Sequence, residues 1–404
     1  MPSSLALSIA MLLTSPAPPA DALDRLRAAR GPVPISEPWT AEPLSRADAD
    51  RAAALLWTRR EREIRDLDAS SFRDRVVRAG DARMRFAYAT FGKKPKSGRS
   101  LWISLHGGGG APPAVNDSQW ENQKRLYRPE EGVYVAPRAP GDTWDLWHRP
   151  EVDALLAALI RDMQVFEDVD PDRVYLLGYS AGGDGVYQLA PRLADRFAGA
   201  AMMAGHPNET RPDGLRNLPF ALHMGANDAA FDRNKIAGEW KEKLASLSAA
   251  DPGGYPHVVE IHEGKGHWMD LADAVALPWL ARNARNIRPE RVTWLQDDVT
   301  HRRLYWLAVD EPKAGARLDV RRDGQVFTIL DAKDVTRVRI RLDDSMCDLS
   351  KEVVVRRKDG DGERELFRGM PQRTIATIAT TLGERDDPKA AYAAEVVVEV
   401  PAGK

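Results

Sequence analysis

The chain has 404 residues, 43% of them hydrophobic and 29% charged, with a formal net charge of −2. That length supports a large core and two domains, and the near-balanced charge offers no basic face to nucleic acid, so no such partner is expected. The single cysteine, Cys347, rules out an intramolecular disulfide.

Residues 1–22 open with an apolar run without charge, Leu5 to Leu13, and close in Ser-Pro-Ala-Pro-Pro-Ala-Asp-Ala. The run is too short to span a bilayer. It fits the core of a signal peptide with a small-residue cleavage region, although no Lys or Arg precedes it. Export to the periplasm or beyond the cell is therefore expected, and no later run is long enough for a membrane span. Residues 23–72 read as an Arg- and Pro-bearing linker to about Ser36, then a helix from Ala47 to about Leu67 with a charged outer face. Arg73 to Phe91 alternates apolar and polar around Ala79-Gly80-Asp81, the pattern of an antiparallel hairpin.

From Leu101 onward, strand and helix patterns alternate, which predicts a mostly parallel α/β sheet over residues 73–287. Strands are expected at 101–105, 133–136, 174–177, 198–203, 220–224 and 257–261. Helices are expected at 119–126, 151–166, 183–193, 231–247 and 269–280. Only about sixteen residues separate the strand ending near Met203 from the one starting at Phe220, too few for a lid domain. An open cleft follows.

The chemically loaded stretch is Val174 to Leu177 running into Gly178-Tyr179-Ser180-Ala181-Gly182, a G-x-S-x-G pentapeptide between a strand and a helix. A serine on so sharp a turn needs small neighbours, and the turn lifts its hydroxyl clear of the sheet. Serine is a poor nucleophile until a base takes its proton and a carboxylate orients that base. Gly225-Ala226-Asn227-Asp228 follows a later strand and Gly264-Lys265-Gly266-His267-Trp268 follows the next. The order Ser180, Asp228, His267 assigns nucleophile, orienting acid and base, with Asp232 as the competing acid. A fourth element, Leu101 to His106 followed by Gly107 to Gly110, exposes bare backbone N–H groups. With Ala181, the glycines Gly107 and Gly108 are the expected oxyanion donors. A phosphate cradle is disfavoured, because the G-x-x-x-x-G-K-[ST] lysine is missing.

His106-Gly107-Gly108-Gly109, Asp170-Pro171-Asp172-Arg173 leading into Gly178 to Gly183, Gly225-Ala226-Asn227-Asp228 and Gly266-His267 together resemble the α/β-hydrolase superfamily. The resemblance is to its lidless esterases, among them polyhydroxybutyrate depolymerases, feruloyl and acetylxylan esterases and dienelactone hydrolases. The prolyl oligopeptidase catalytic domain is a related alternative. It covers roughly Arg73 to Asn286. It implies a doubly wound sheet and hydrolysis of an ester or amide through an acyl-serine intermediate, without a cofactor, on a small-molecule or polymeric ester. It does not choose the substrate, nor does the sequence choose the oligomeric state.

Residues 288–404 lose the helical pattern and alternate on a period of two, with Asp-Gly turns at Asp323-Gly324 and Asp359-Gly360. A small all-β, sandwich-like domain is expected there, either bracing the catalytic domain or binding polymer. Pocket candidates are Trp144, Trp147 and His148 in a Pro- and Gly-bearing loop, His206 at another strand end, and Trp268 beside the base. His106, His148 and His206 lack i,i+3 or i,i+4 pairing, so no metal site is expected. The competing readings are a peptidase of the prolyl oligopeptidase type and a non-catalytic polymer-binding protein on the same scaffold.

Overall fold

The computed structural model describes residues 21–360 and 362–401. The expected leader, 1–22, lies outside the described residues except for Asp21 and Ala22. These open α1 (Ala22–Ala28), where the Asp21 side chain accepts from the Asp24 N–H at 2.8 Å. A helix stands here where a linker was expected, because Ala22, Leu23 and Leu26 bury one face. Next comes α2 (Arg46–Arg73), six residues longer at its end than the sequence suggested and capped by Ser45.

The α/β half then runs β1 (Val76–Ala79), β2 (Ala82–Phe91), β3 (Arg99–Leu105), α3 (Pro113–Gln123), β4 (Gly132–Pro137), α4 (Pro150–Glu167), β5 (Val169–Tyr179), α5 (Ala181–Arg192), β6 (Gly199–Met203), β7 (Phe220–Gly225), α6 (Arg233–Ala250), β8 (His257–His262) and α7 (Ala276–Leu280). These strands form one sheet in the order β1-β2-β4-β3-β5-β6-β7-β8. From β4 to β8 every pair is parallel, and the β1–β2 hairpin adds an antiparallel margin. A sheet covered on both faces needs apolar residues at successive positions. In β3, Leu101, Ile103 and Leu105 pack toward α4, α5 and α6, while Trp102 joins Tyr134 and Tyr175 on the face covered by α7. The expected helix at 269–280 shrinks to a 3₁₀ turn, Ala272–Val275, and the five residues of α7. Left-handed backbone at Asp270 and Leu271 breaks the earlier part. Between β6 and β7 lies a single 3₁₀ turn, Pro212–Asn217.

Nine short strands follow: β9 (Arg291–Leu295), β10 (Arg303–Leu304), β11 (Leu307–Ala308), β12 (Arg317–Asp323), β13 (Val326–Lys333), β14 (Arg337–Leu342), β15 (Val353–Asp359), β16 (Gly362–Gly369) and, after α8 (Ile375–Gly383), β17 (Ala394–Glu399). They make a four-stranded sheet, β10-β11-β14-β17, and a five-stranded sheet, β16-β15-β13-β12-β9. Trp306 of the first meets Phe327 of the second edge-on at 5.6 Å. The region is not purely β. In α8, Ile375, Ile378 and Leu382 share one face and pack on Ala52 and Leu56 of α2 and on Leu26 of α1. Cys347 is buried here, and burial pushes its thiol up to about 12, so it is inert.

Candidate active site

Ser180 alone connects β5 to α5. Its backbone sits at φ 57°, ψ −123°, a strained conformation for a residue with a Cβ. The flanking glycines make the turn possible. A Cβ on Gly178 would lie 2.0 Å from the Gly182 carbonyl oxygen, and one on Gly182 would lie 2.1 Å from that of Leu105. The Ser180 N–H is tied to the Met203 carbonyl at 2.9 Å, so the elbow is held from β6 as well.

His267 reaches this serine from the loop after β8. Its Nε2 lies 2.9 Å from Ser180 Oγ and its Nδ1 lies 2.7 Å from Asp228 Oδ2. A carboxylate can only accept, so Nδ1 carries the hydrogen and Nε2 faces the serine as a bare acceptor. Asp228 is almost wholly buried while His267 is 43% exposed. Arg233 stands 3.5 Å from the other carboxylate oxygen. The two loops approach closely: a Cβ on Gly225 would lie 2.1 Å from the Gly266 carbonyl oxygen. Asp232, the competing acid, is exposed at the start of α6.

The glycine loop is pinned from below. His106 is buried, with Nδ1 2.6 Å from the Gly107 carbonyl and Nε2 accepting from the Ala139 N–H at 3.1 Å. Burial pushes its imidazole down to about 4, so it is a neutral peg with the hydrogen on Nδ1. Asn116, also buried, accepts from the Gly109 N–H at 3.0 Å and donates to the Gly109 carbonyl at 3.0 Å. Gly108 has φ 120°, and a Cβ there would lie 2.0 Å from Asn116 Oδ1. Among the described residues neither the Gly108 nor the Ala181 N–H donates to a backbone acceptor. Gly107 lies against Ser180, its missing Cβ position 3.1 Å from Ser180 Cβ.

A cleft of about 730 Å³ opens over these groups, lined by Gly107, Gly108, Tyr179, Ser180, His267 and Trp268 and further by Val115 and Leu271. The other expected pocket residues stand elsewhere. Trp147 is fully buried and donates Nε1–H to the His106 carbonyl at 2.9 Å, so it packs the loop rather than a substrate. Trp144 is exposed beside Gly109 and Gly110 but does not line the cleft. His148 is half-buried edge-on to Trp144 at 5.5 Å. His206 binds locally, its N–H donating to Asp184 at 2.6 Å. The sequence analysis also missed Tyr179. Its Oη donates to the His267 carbonyl at 2.7 Å and accepts from the Met269 N–H at 3.0 Å, tying the histidine loop to β5. The only signal for that role was its place in the G-x-S-x-G motif.

The chain is 33% identical over 158 residues to NocK of Nocardia uniformis subsp. tsuyamanensis, named an esterase, covering 36% of this chain and 46% of that protein. It is 27% identical over 170 residues to the bifunctional acetylxylan esterase/xylanase XynS20E of Neocallimastix patriciarum, covering 41% of this chain and 24% of that one. The chain thus spans less than half the length of either relative. Among solved structures, a thermostable esterase superposes with a TM-score of 0.40 at 15% identity, covering 52% of this chain and 62% of its own. The model of the Dienelactone hydrolase family matches residues 136–269, the stretch that holds Ser180, Asp228 and His267.

Proposed function

We propose that the protein is a serine hydrolase of carboxylic esters that works through an acyl-serine intermediate. The observation that carries this is the unbroken contact chain from Ser180 Oγ through both ring nitrogens of His267 to the buried Asp228 carboxylate. As His267 Nε2 takes the hydroxyl proton, Ser180 Oγ attacks the ester carbonyl, and Asp228 steadies the imidazolium that forms. The oxyanion is received by the Ala181 and Gly108 (or Gly107) N–H groups. Removing one donor of that kind costs on the order of 100- to 1000-fold in rate. His267 then returns the proton to the departing alkoxide. In the second half, it deprotonates a water that attacks the acyl carbonyl, and Ser180 leaves with the proton.

The rim of the cleft supports a bulky or polymeric apolar ester as substrate. Trp268, Leu271 and Val115 line it, and each is between 44% and 50% exposed. The esterase names of NocK and XynS20E favour the ester reading over the peptidase one. Export of the chain belongs to the same proposal and rests on the apolar run within residues 1–22.

The test sets short p-nitrophenyl esters beside a proline-linked chromogenic peptide. Ester turnover that disappears in Ser180→Ala, falling by roughly 10⁶ in kcat, is expected. Turnover of the peptide alone would transfer the protein to the peptidase class. Inertness toward both would leave a binding protein.

A further inference from the structure

We propose that His223, His262 and Glu260 form a binding site for one divalent cation of the zinc class, apart from the Ser180 cleft. The register of two parallel strands builds it. His223 of β7 pairs with Glu260 of β8, and Gly225 pairs with His262 two positions on. Side chains two apart on a strand point to one face, so both donors of β8 stand on the side that His223 occupies. His223 Nδ1 lies 3.1 Å from His262 Nε2 and 3.9 Å from a Glu260 carboxylate oxygen, and one ligand atom from each of the three lies within 4.8 Å of the others.

These separations fit coordination with small adjustments. Two imidazole nitrogens held at about 2.0–2.1 Å from one tetrahedral zinc stand roughly 3.3–3.4 Å apart, and a carboxylate oxygen takes a similar place. The nitrogens would open by a few tenths of an ångström, and the carboxylate would close by about half an ångström on His223 Nδ1. The donor set itself selects the ion. Two imidazoles and one carboxylate suit zinc and its first-row neighbours, whereas magnesium and calcium prefer all-oxygen shells. Burial is graded, with His223 buried, His262 half-buried and Glu260 exposed. Three protein ligands are thus presented with a solvent side open to water as the fourth.

The location gives the site its consequence. β8 is the edge strand of the sheet, paired on one side only and half-buried except at exposed Glu260, while β7 is buried throughout. A cation held by both strands clasps that edge. Asp228 follows the end of β7 by three residues and His267 follows the end of β8 by five. The clasp therefore steadies the two strands whose loops present the acid and the base, without touching substrate.

The experiment uses the full chain, stripped with a chelator, dialysed, and titrated with Zn²⁺, Co²⁺, Mg²⁺ and Ca²⁺ in parallel. One Zn²⁺ per chain, a visible Co²⁺ spectrum of low-symmetry coordination and a rise in Tm with Zn²⁺ are expected, with no effect of Mg²⁺ or Ca²⁺. Glu260→Ala and His262→Gln should each weaken Zn²⁺ binding at least tenfold. Because Glu260 is exposed, the melting curve of Glu260→Ala without metal should match the parent. Ser180→Ala should bind Zn²⁺ like the parent, which separates this site from the hydrolytic reading. Binding below one equivalent, or binding unchanged in Glu260→Ala and His262→Gln, would overturn the proposal.

Discussion

The rim that carries Ser180 and the seam where the C-terminal sheets meet the catalytic sheet use charge in opposite ways. At the rim, the Asp228 carboxylate is buried and the His267 imidazole bonded to it is 43% exposed, so the chain of polar groups ends in solvent. In the seam the charges are sealed. Arg285 is met by Asp172 at 2.9 Å and Asp387 at 2.7 Å, and Arg385 is met by Asp195 at 2.6 Å. Asp195 also accepts the Tyr305 N–H at 3.1 Å, which ties the turn after β5–α5 to the start of the small sheet. His301 reaches Asp153 of α4 at 2.8 Å in the same way. Buried pairs of this kind add little against a well-packed apolar replacement, but breaking one leaves an uncompensated charge. The seam thus fixes how the two halves sit, while the rim keeps its polar groups available for chemistry.

Substitutions that remove charge should then separate activity from stability. The largest effect belongs to Asp228→Asn. It leaves the shape but allows the wrong imidazole tautomer, and kcat should fall on the order of 10⁴-fold, with Tm lowered by only a few degrees; steady-state kinetics and a melting curve check both. Asp195→Ala should do the reverse. It strands Arg385 in the seam and should cost about 3–5 kcal/mol of stability, read by urea unfolding, while kcat per folded molecule stays within twofold. A large kcat loss in the seam variant would show that the two regions are not separable.

Tyr179→Phe sharpens the comparison from inside the rim. It keeps the ring and removes one donor and one acceptor from the histidine loop. Each net hydrogen bond is worth about 0.5–1.5 kcal/mol, so kcat should fall roughly tenfold with KM little changed. The smallest effect is in pH. Burial alone would raise the Asp195 and Asp387 carboxyls, yet the Arg385, Arg196 and Arg303 guanidiniums around the first and Arg285 beside the second outweigh it and hold both below the usual carboxylate range. A carboxyl with a depressed folded value binds fewer protons folded than unfolded. Its stabilisation is present above an unfolded value of about 4 and fades as pH falls below it. Melting temperatures measured from pH 6 to 2.5 should drop through this window in the parent. Asp195→Ala should show a shallower drop.

Much of the rim was legible because each of its parts has a local cause. A serine between two glycines at a strand-to-helix turn, glycines after a buried strand, and an acid and a histidine just past strand ends are all patterns within a few residues. The choice of Asp228 over Asp232 was less plain, since it depends on where left-handed backbone at Phe231 and Asp232 lets α6 begin. The pocket was least legible. Trp147 sits in a loop that looks solvent-facing, yet its side chain fills the space beside Gly185, where a Cβ would lie 2.5 Å from the Trp147 Cβ and 2.9 Å from its indole Cγ. The seam and α8 were missed for another reason. Arg285, Arg385 and Asp195 read as ordinary surface charges until the fold brings segments 90 or more residues apart together. The His223 and His262 pairing is of the same kind, set by strand register and invisible in spacing along the chain.

The most direct measurement is to trap the acyl group. Protein mixed with a p-nitrophenyl ester, quenched in acid within the first turnover, digested and weighed by mass spectrometry should carry the acyl mass on the peptide containing Ser180, with a matching burst of p-nitrophenol. Steady hydrolysis with no adduct, or an adduct on any other residue, would contradict it.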